Sequence, residues 1–261
     1  MSVNRLIFGT ASVGSRSSYS EFSKTASRAC SLGINVFDTA PMYGRGLSQK
    51  YLARFIKTNP SFNIKVITKV GRLIKVDFKT LMIYFVRLDF SPIFSGMVTL
   101  NSSAFCLSNK YISRAKYQLD KWFNSSNVLT VLVHSPDKGS ITPELLSQLD
   151  TIFESNISIG CSDPSQVDYH QLQDRYKDGF IVQVGYEEFL RRVDYQSHAG
   201  HLVVNGIFRF SQNNGISLID LFDNIDKIRK GRKTSFNFGF YSCEVLTHIV
   251  KSYNDYASSI R

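Results

Sequence analysis

Short apolar runs alternate with amphipathic stretches along the whole chain. The runs are Arg5–Gly9, Ile34–Thr39, Ile64–Val70, Val128–His134, Ile157–Cys161, Phe180–Gly185, His201–Phe210 and Ser235–Phe240. Parallel strands buried on both faces read as near-continuous apolar runs, so these segments predict eight strands. Helical spacing appears between them. Phe22, Ala26, Ala29 and Cys30 share a face of a predicted helix over Ser20–Leu32, with Gly33 as its stop. Leu47, Tyr51, Leu52 and Phe55 do the same over Leu47–Lys57, and Ala115, Leu119, Trp122 and Phe123 over Ser113–Phe123. Thr142-Pro143-Glu144 opens another helix, with Thr as N-cap and Pro at the first position. Ser217–Ile228 and Cys243–Tyr253 complete the set, and no clear helix shows between Val184 and His198.

Strand and helix alternating in this way predict a parallel α/β fold. A (β/α)8 TIM barrel typically takes about 250 residues, and the chain has 261. We therefore expect a single barrel domain over residues 1–261, with an open doubly wound sheet as the alternative. That alternative usually announces itself by GxGxxG after the first strand. Here Gly9-Thr-Ala-Ser-Val-Gly14 lacks the pattern, and Gly44-Arg45-Gly46 has no third glycine. About forty residues, Gly71 to Tyr111, separate the third strand from the next helix. Long connections in compact domains are commonly functional, and this one is rich in Phe and Leu, so it reads as an ordered flap.

The formal net charge of +10 favours anionic partners such as nucleic acid, a membrane surface or a phosphorylated cofactor. A solvated basic surface accounts for it equally well. The charge is scattered and no nucleic-acid recognition motif appears, so no nucleic-acid partner is expected. The four cysteines lie far apart, without CxxC or zinc spacing, so neither a disulfide framework nor a metal site is expected. Leu6-Ile7-Phe8 is too short for a signal-peptide core. Arg87, Asp89 and Pro92 break the most apolar later stretch, Leu81–Val98, whereas a span needs about 20 nearly uncharged residues. The expectation is a cytoplasmic protein with no membrane partner, a monomer or small homo-oligomer.

Chemistry in a (β/α)8 barrel collects at the carboxyl ends of the strands. The second run carries Asp38, with Tyr43 in the loop that follows; the third carries Lys69 and the fourth ends in His134. Tyrosine, with a pKa of about 10, is a poor proton donor at neutral pH. A nearby ammonium lowers that value, a carboxylate holds the ammonium, and a histidine can hydrogen-bond a carbonyl. Each residue alone has an ordinary structural explanation. Together they suit acid/base chemistry at a carbonyl or hydroxyl carbon.

The run Gly33-Ile-Asn-Val-Phe-Asp-Thr-Ala-Pro-Met-Tyr-Gly-Arg-Gly-Leu-Ser48 resembles the signature of the aldo-keto reductase superfamily. Val66-Ile-Thr-Lys-Val-Gly71, Val131-Leu-Val-His134, Ile159-Gly-Cys-Ser162 and Ile181-Val-Gln-Val184 follow in the same order. The resemblance implies the family's barrel and hydride transfer between NADP or NAD, with NADP favoured, and a small-molecule carbonyl or sugar. It places the catalytic tetrad on Asp38, Tyr43, Lys69 and His134, with Tyr43 as acid/base, Lys69 held by Asp38, and His134 orienting the carbonyl. It assigns the nicotinamide amide to Ser162, Asp163 and Gln183, although the family usually has Asn where Asp163 stands. Lys69-Val-Gly-Arg-Leu73 and the long connection after it look most like the aldose dehydrogenases.

The C-terminal part departs from the family pattern. Phe238-Gly239 through Leu246 resembles the final strand and helix around the adenosine phosphate, which implicates Gly239 and Ser242. The basic residue expected after that glycine is absent; Phe240, Tyr241 and Ser242 stand there. The cluster Lys227, Arg229, Lys230, Arg232 and Lys233 just before the strand could reach a phosphate or form a solvated face. The aromatic-Pro loop of the seventh unit is missing, and Phe208 or Phe210 could supply the stacking ring. These departures leave a second function class open: a catalytically weak or inactive barrel acting as a binding or regulatory subunit.

Overall fold

Ile7, Ile67, Leu132, Ile181 and Val203 form a small apolar cluster of their own, separate from the main core. They come from five strands of a closed barrel and plug its interior. The computed structural model describes residues 5–75, 81–82, 98–99, 105–153, 157–163, 180–192, 200–239 and 242–260. Most of the expected flap at 71–111, the segment 193–198, and Phe240 and Tyr241 lie outside the described residues.

Along the chain the strands are β1 (Leu6–Gly9), β2 (Val36–Asp38), β3 (Lys65–Val70), β4 (Ile74–Lys75), β5 (Val98–Thr99), β6 (Val128–His134), β7 (Ser158–Ser162), β8 (Ile181–Gly185), β9 (His201–Asn205) and β10 (Thr234–Gly239). β4 and β5 form a separate two-stranded sheet; the other eight close in the order β1-β10-β9-β8-β7-β6-β3-β2, all parallel. This is the (β/α)8 barrel expected from the alternation of apolar runs. The helices are α1 (Tyr19–Ser31), α2 (Ser48–Thr58), α3 (Asn109–Trp122), α4 (Pro143–Phe153), α5 (Tyr186–Arg191), α6 (Ile207–Asn214), α7 (Leu218–Arg229) and α8 (Cys243–Ser259). Their apolar faces bury Phe22, Leu52, Phe55, Leu149 and Phe222 against the sheet in one continuous core. Each such side chain contributes about 1.5–3 kcal/mol.

Serine and threonine caps set several helix starts. Ser18 and Glu21 form a reciprocal capping box at α1, and Ser108, Ser217 and Ser242 each accept a hydrogen bond from the first turn of α3, α7 and α8. Ser108 starts α3 four residues before the position that apolar spacing alone marks.

Two sequence expectations are corrected. The run His201–Phe210 is not one strand: β9 stops at Asn205, Gly206 turns the chain at φ 75°, and α6 follows at once. A positive φ suits glycine because it has no Cβ, and here it separates a strand period from a helical one. The stretch Val184–His198 does contain a helix, α5, whose Tyr186 and Phe189 are buried three residues apart. It is only six residues long, too short for periodicity to show. Among the described residues no helix is long and apolar enough to cross a membrane.

The β3–β6 register shifts once. Val66 lies opposite Val128 and Ile67 opposite Thr130, so Leu129 is skipped. Such a bulge re-aims every later side chain. Lys69 is thereby level with Leu132, a residue of the barrel interior.

Candidate active site

Side chains alternate between the faces of a strand, so the residue two positions after each interior plug also points inward, one layer nearer the mouth. From Ile7, Ile67, Leu132, Ile181 and Val203 that rule leads to Gly9, Lys69, His134, Gln183 and Asn205. An apolar plug thus underlies a polar layer at the carboxyl ends of the strands.

The centre of this layer is a buried ion pair. The Lys69 ammonium donates to Asp38 Oδ1, with the two side chains 1% and 2% exposed. Asn237 Nδ2 donates to Asp38 Oδ2 at 3.1 Å and to Asn205 Oδ1 at 2.9 Å. Gly9 makes room for this arrangement, since a Cβ there would lie 2.8 Å from Asn237 Oδ1.

Tyr43 enters from the turn after β2. Gly44 and Arg45 both adopt positive φ, at 56° and 57°. A Cβ on Gly44 would stand 1.6 Å from the Val13 carbonyl oxygen, so only glycine lets the two loops touch. Below the turn, Ser48 Oγ donates to Thr10 Oγ1 at 2.7 Å and lies 3.0 Å from Thr39 Oγ1, all three side chains being buried. The Tyr43 ring stands edge-on to His134, centroids 5.7 Å apart at 88°, and Lys69 Nζ lies 5.2 Å from the Tyr43 ring centroid. The four residues expected to act together are therefore gathered in one place.

Electrostatics sharpen their roles. Burial, with the nearby carboxylates of Asp38 and Asp163, pushes the Tyr43 hydroxyl well above its ordinary value. The lowering expected from Lys69, whose ammonium is paired with Asp38, is outweighed here. Tyr43 is held as a neutral acid. Burial and the cations of Lys69 and Arg72 push His134 down to about 3, so its imidazole is neutral at physiological pH.

Beside this cluster, at the ends of β7 and β8, buried polar atoms lack partners. Ser162 Oγ and both amide atoms of Gln183 are fully buried and find no hydrogen-bond partner among the described residues. Leaving such a group unsatisfied costs about 1–3 kcal/mol. A primary carboxamide, with one carbonyl and two N–H donors, fits this set. Asp163 follows Ser162 at φ 47°, its N–H bonded to the Gln183 carbonyl at 2.7 Å. Burial raises the pKa of its carboxyl, against the pull of Lys69. Asp163 lines a cleft of about 440 Å³ with Tyr186, Asn205, Arg209 and Phe210.

The remaining expected contacts are spread out. Of the two aromatic candidates, Phe210 lines the cleft and packs on Tyr186 at 4.7 Å, whereas Phe208 faces His248 at 6.4 Å. Gly239 ends β10 beside Gly9, and a Cβ there would meet no atom of the described residues within 4 Å. Ser242 caps α8 and lines a second cleft, of about 360 Å³, with Arg16 and Lys24. The basic cluster at 227–233 does not approach Gly239. It precedes Thr234, the first residue of β10, and so lies at the opposite end of the barrel. There Lys227 pairs with Asp223 at 2.6 Å, and the buried Arg229 donates to the Lys233 carbonyl.

Asn205, Asn237 and Arg72 were not singled out from the sequence. Asn237 did carry a signal, a polar residue between Phe236 and Phe238 in a strand type that disfavours Asn.

Fold and site together define a (β/α)8 barrel with a buried cluster of titratable side chains at its carboxyl-end mouth. Residues 5–222 match the model of the Aldo/keto reductase family, and the chain belongs to that family. Its members use NAD(P)H as a rule and act on small carbonyl compounds. A D-threo-aldose 1-dehydrogenase of a Pseudomonas species is 51% identical over 43 residues, which span 16% of this chain and 13% of that enzyme. Among solved structures, a Pseudomonas aeruginosa protein described as an aldo-keto reductase superposes with a TM-score of 0.67 at 20% identity, covering 98% of this chain and 90% of that one. The holo form of a Bacillus halodurans aldo-keto reductase gives 0.59 at 16% identity, with 95% and 86% covered. A glycerol dehydrogenase of Gluconobacter oxydans gives 0.61 at 14% identity, with 98% and 90% covered.

Proposed function

We propose that the protein interconverts a carbonyl compound (an aldehyde, ketone or sugar) and the corresponding alcohol, with Tyr43 as general acid and base. The observation that carries this reading is the convergence of Tyr43, His134 and the buried Lys69–Asp38 pair beside Ser162 and Gln183, whose buried side-chain polar atoms find no partner among the described residues. A nicotinamide cofactor, when bound, supplies the hydride. Ser162 and Gln183 would hold its carboxamide, with Asp163 beside them.

The chain's own residues handle the proton. Neutral His134 hydrogen-bonds the substrate carbonyl and turns its oxygen toward Tyr43. Tyr43, kept protonated by burial, donates its proton as negative charge develops on that oxygen. The phenolate left behind faces the Lys69 ammonium, which stabilises it. Asp38 and Asn237 keep that ammonium in position. In the oxidative direction the same phenolate accepts the alcohol proton.

The aldose dehydrogenase match supports sugars as the substrate class to try first, and NADP is the cofactor we favour. Titration with NADPH and NADH, read by quenching of Trp122 and tyrosine fluorescence, tests cofactor use. Tyr43→Phe should then lose at least about a hundredfold in turnover while binding cofactor as tightly as wild type. Turnover retained in that variant overturns the mechanism. A folded protein that binds neither nucleotide favours the binding or regulatory barrel.

A further inference from the structure

We propose that Arg72 is a positioning residue of this site, whose guanidinium clasps the turn after β6 and so fixes His134 against Tyr43. The inference rests on the reading of the site above and adds a residue outside the tetrad.

Arg72 lies three residues beyond Lys69, yet its side chain reaches past the end of the neighbouring strand. Its Nη2 donates to the Ser135 carbonyl at 2.5 Å and to Asp137 Oδ1 at 3.1 Å. Ser135 directly follows His134 and sits at φ 45°, a conformation that L-residues with side chains rarely adopt. In that conformation its N–H bonds the Ser162 carbonyl at 2.8 Å, and its hydroxyl points to Asp163 Oδ2 at 3.5 Å. One guanidinium thereby connects the ends of β3, β6 and β7, which carry Lys69, His134 and Ser162.

The arginine is itself held from behind. Its guanidinium carbon lies 5.1 Å from the Phe105 ring centroid, and the backbones of Arg72 and Phe105 form an isolated antiparallel bridge. The Tyr111 hydroxyl, from the first turn of α3, donates to the Arg72 carbonyl at 3.3 Å and accepts from the Gly71 N–H at 3.2 Å. The Cys106 N–H bonds the Gly71 carbonyl at 2.7 Å. A planar, stacked guanidinium that bonds both a backbone carbonyl and a carboxylate is not replaceable by a lysine ammonium. The groups facing His134 are Lys69 from β3, Arg72, Tyr43 from the turn after β2, and Asp163 by way of Ser135.

The test compares Arg72→Lys and Arg72→Gln by steady-state kinetics and by NMR of the His134 imidazole in the unliganded protein, assigned with His134→Gln. A displacement of catalytic groups by about 1 Å costs about a hundredfold in rate. Both variants should therefore lose ten- to a hundredfold in kcat, with nucleotide affinity unchanged. The His134 resonances should shift in both, but His134 should gain a proton at higher pH only in Arg72→Gln, which removes the cation. Wild-type kcat with unshifted His134 resonances overturns the proposal. So does a loss of kcat that follows the unfolded fraction alone. If the wild-type protein turns over no carbonyl substrate, the functional reading fails separately, and the His134 resonances still decide the role of Arg72.

Discussion

Asn237 donates a hydrogen bond to Asp38 across 199 residues of sequence, closing the last strand of the barrel onto the second. The two are not neighbours in the ring, because β1 runs between β10 and β2. Gly9 on β1 has no side chain to come between them, so the amide reaches across to the carboxylate. Asp38 is therefore held on both oxygens, by Lys69 and by Asn237.

Asn237→Ala should leave Asp38 Oδ2 and Asn205 Oδ1 each short of a buried donor. We expect a loss of about 1–3 kcal/mol in stability and a fall in kcat that exceeds any change in nucleotide affinity. Urea unfolding and steady-state kinetics on the same preparation check both. Unchanged kcat would mean that Asn237 only braces the barrel.

Ser162→Ala and Gln183→Leu remove buried polar atoms that find no partner among the described residues. The expected outcome is a variant at least as stable as wild type without nucleotide, and weaker binding of NADPH or NADH. Opposed changes of this kind are characteristic of residues retained for function at the expense of stability. Thermal unfolding with and without nucleotide reads both. A variant that binds nucleotide normally would remove Ser162 or Gln183 from the cofactor site.

Two histidines make stability depend on pH in a fixed direction. His134 is pushed down to about 3 and His201, whose Nε2 lies 3.0 Å from Ser235 Oγ, to about 4, both chiefly by burial. Below about pH 6.5 the unfolded chain takes up protons at both positions and the folded one does not. Their neutral form therefore favours folding above that pH, and this contribution is lost as pH falls from about 6.5 toward 4. Asp163, raised by burial, opposes the trend toward its acid end. Unfolding free energy measured from pH 7 to 4.5 should decline less steeply in His134→Gln and His201→Asn than in wild type. For the same reason turnover should show no His134 ionisation between pH 5 and 8.

Gly44→Ala places a Cβ 1.6 Å from the Val13 carbonyl oxygen at a φ of 56°. The loops after β1 and β2 must separate, and Tyr43 moves with them. We expect a marked drop in Tm and the loss of most turnover. Gly206→Ala, with nothing within 4 Å of the added carbon, should cost only the strain of its positive φ, about 1–2 kcal/mol. Equal losses in the two variants would show that loop contact is not what places Tyr43.

The barrel and the gathering of Asp38, Tyr43, Lys69 and His134 were legible in the sequence because both are local in origin. Continuous apolar runs mark strands buried on both faces, and Asp38, Lys69 and His134 sit at or near the ends of such runs. The same locality explains the two misread segments. The run at 201–210 is apolar on both sides of Asn205-Gly206, a turn signal that divides β9 from α6, and α5 is too short to show a helical period. Gly44 was part of a quoted motif, but the reason for it, contact with Val13, is not visible from its neighbours.

What the sequence by itself determined is the fold class, the order of the strands along the chain and the identity of the residues that could carry protons. Only the tertiary structure decided which partners those residues have. Lys69 is paired with Asp38, burial and carboxylates outweigh it at Tyr43, Asn237 completes the carboxylate's hydrogen bonding, and the basic cluster at 227–233 lies at the far end of the barrel. Ring closure and one skipped residue in the β3–β6 register set these relations. The physical reason is that hydrophobic patterning acts over a few residues and specifies which face is buried. Burial, pairing and pKa depend on groups brought within a few ångströms from positions as much as 229 residues apart.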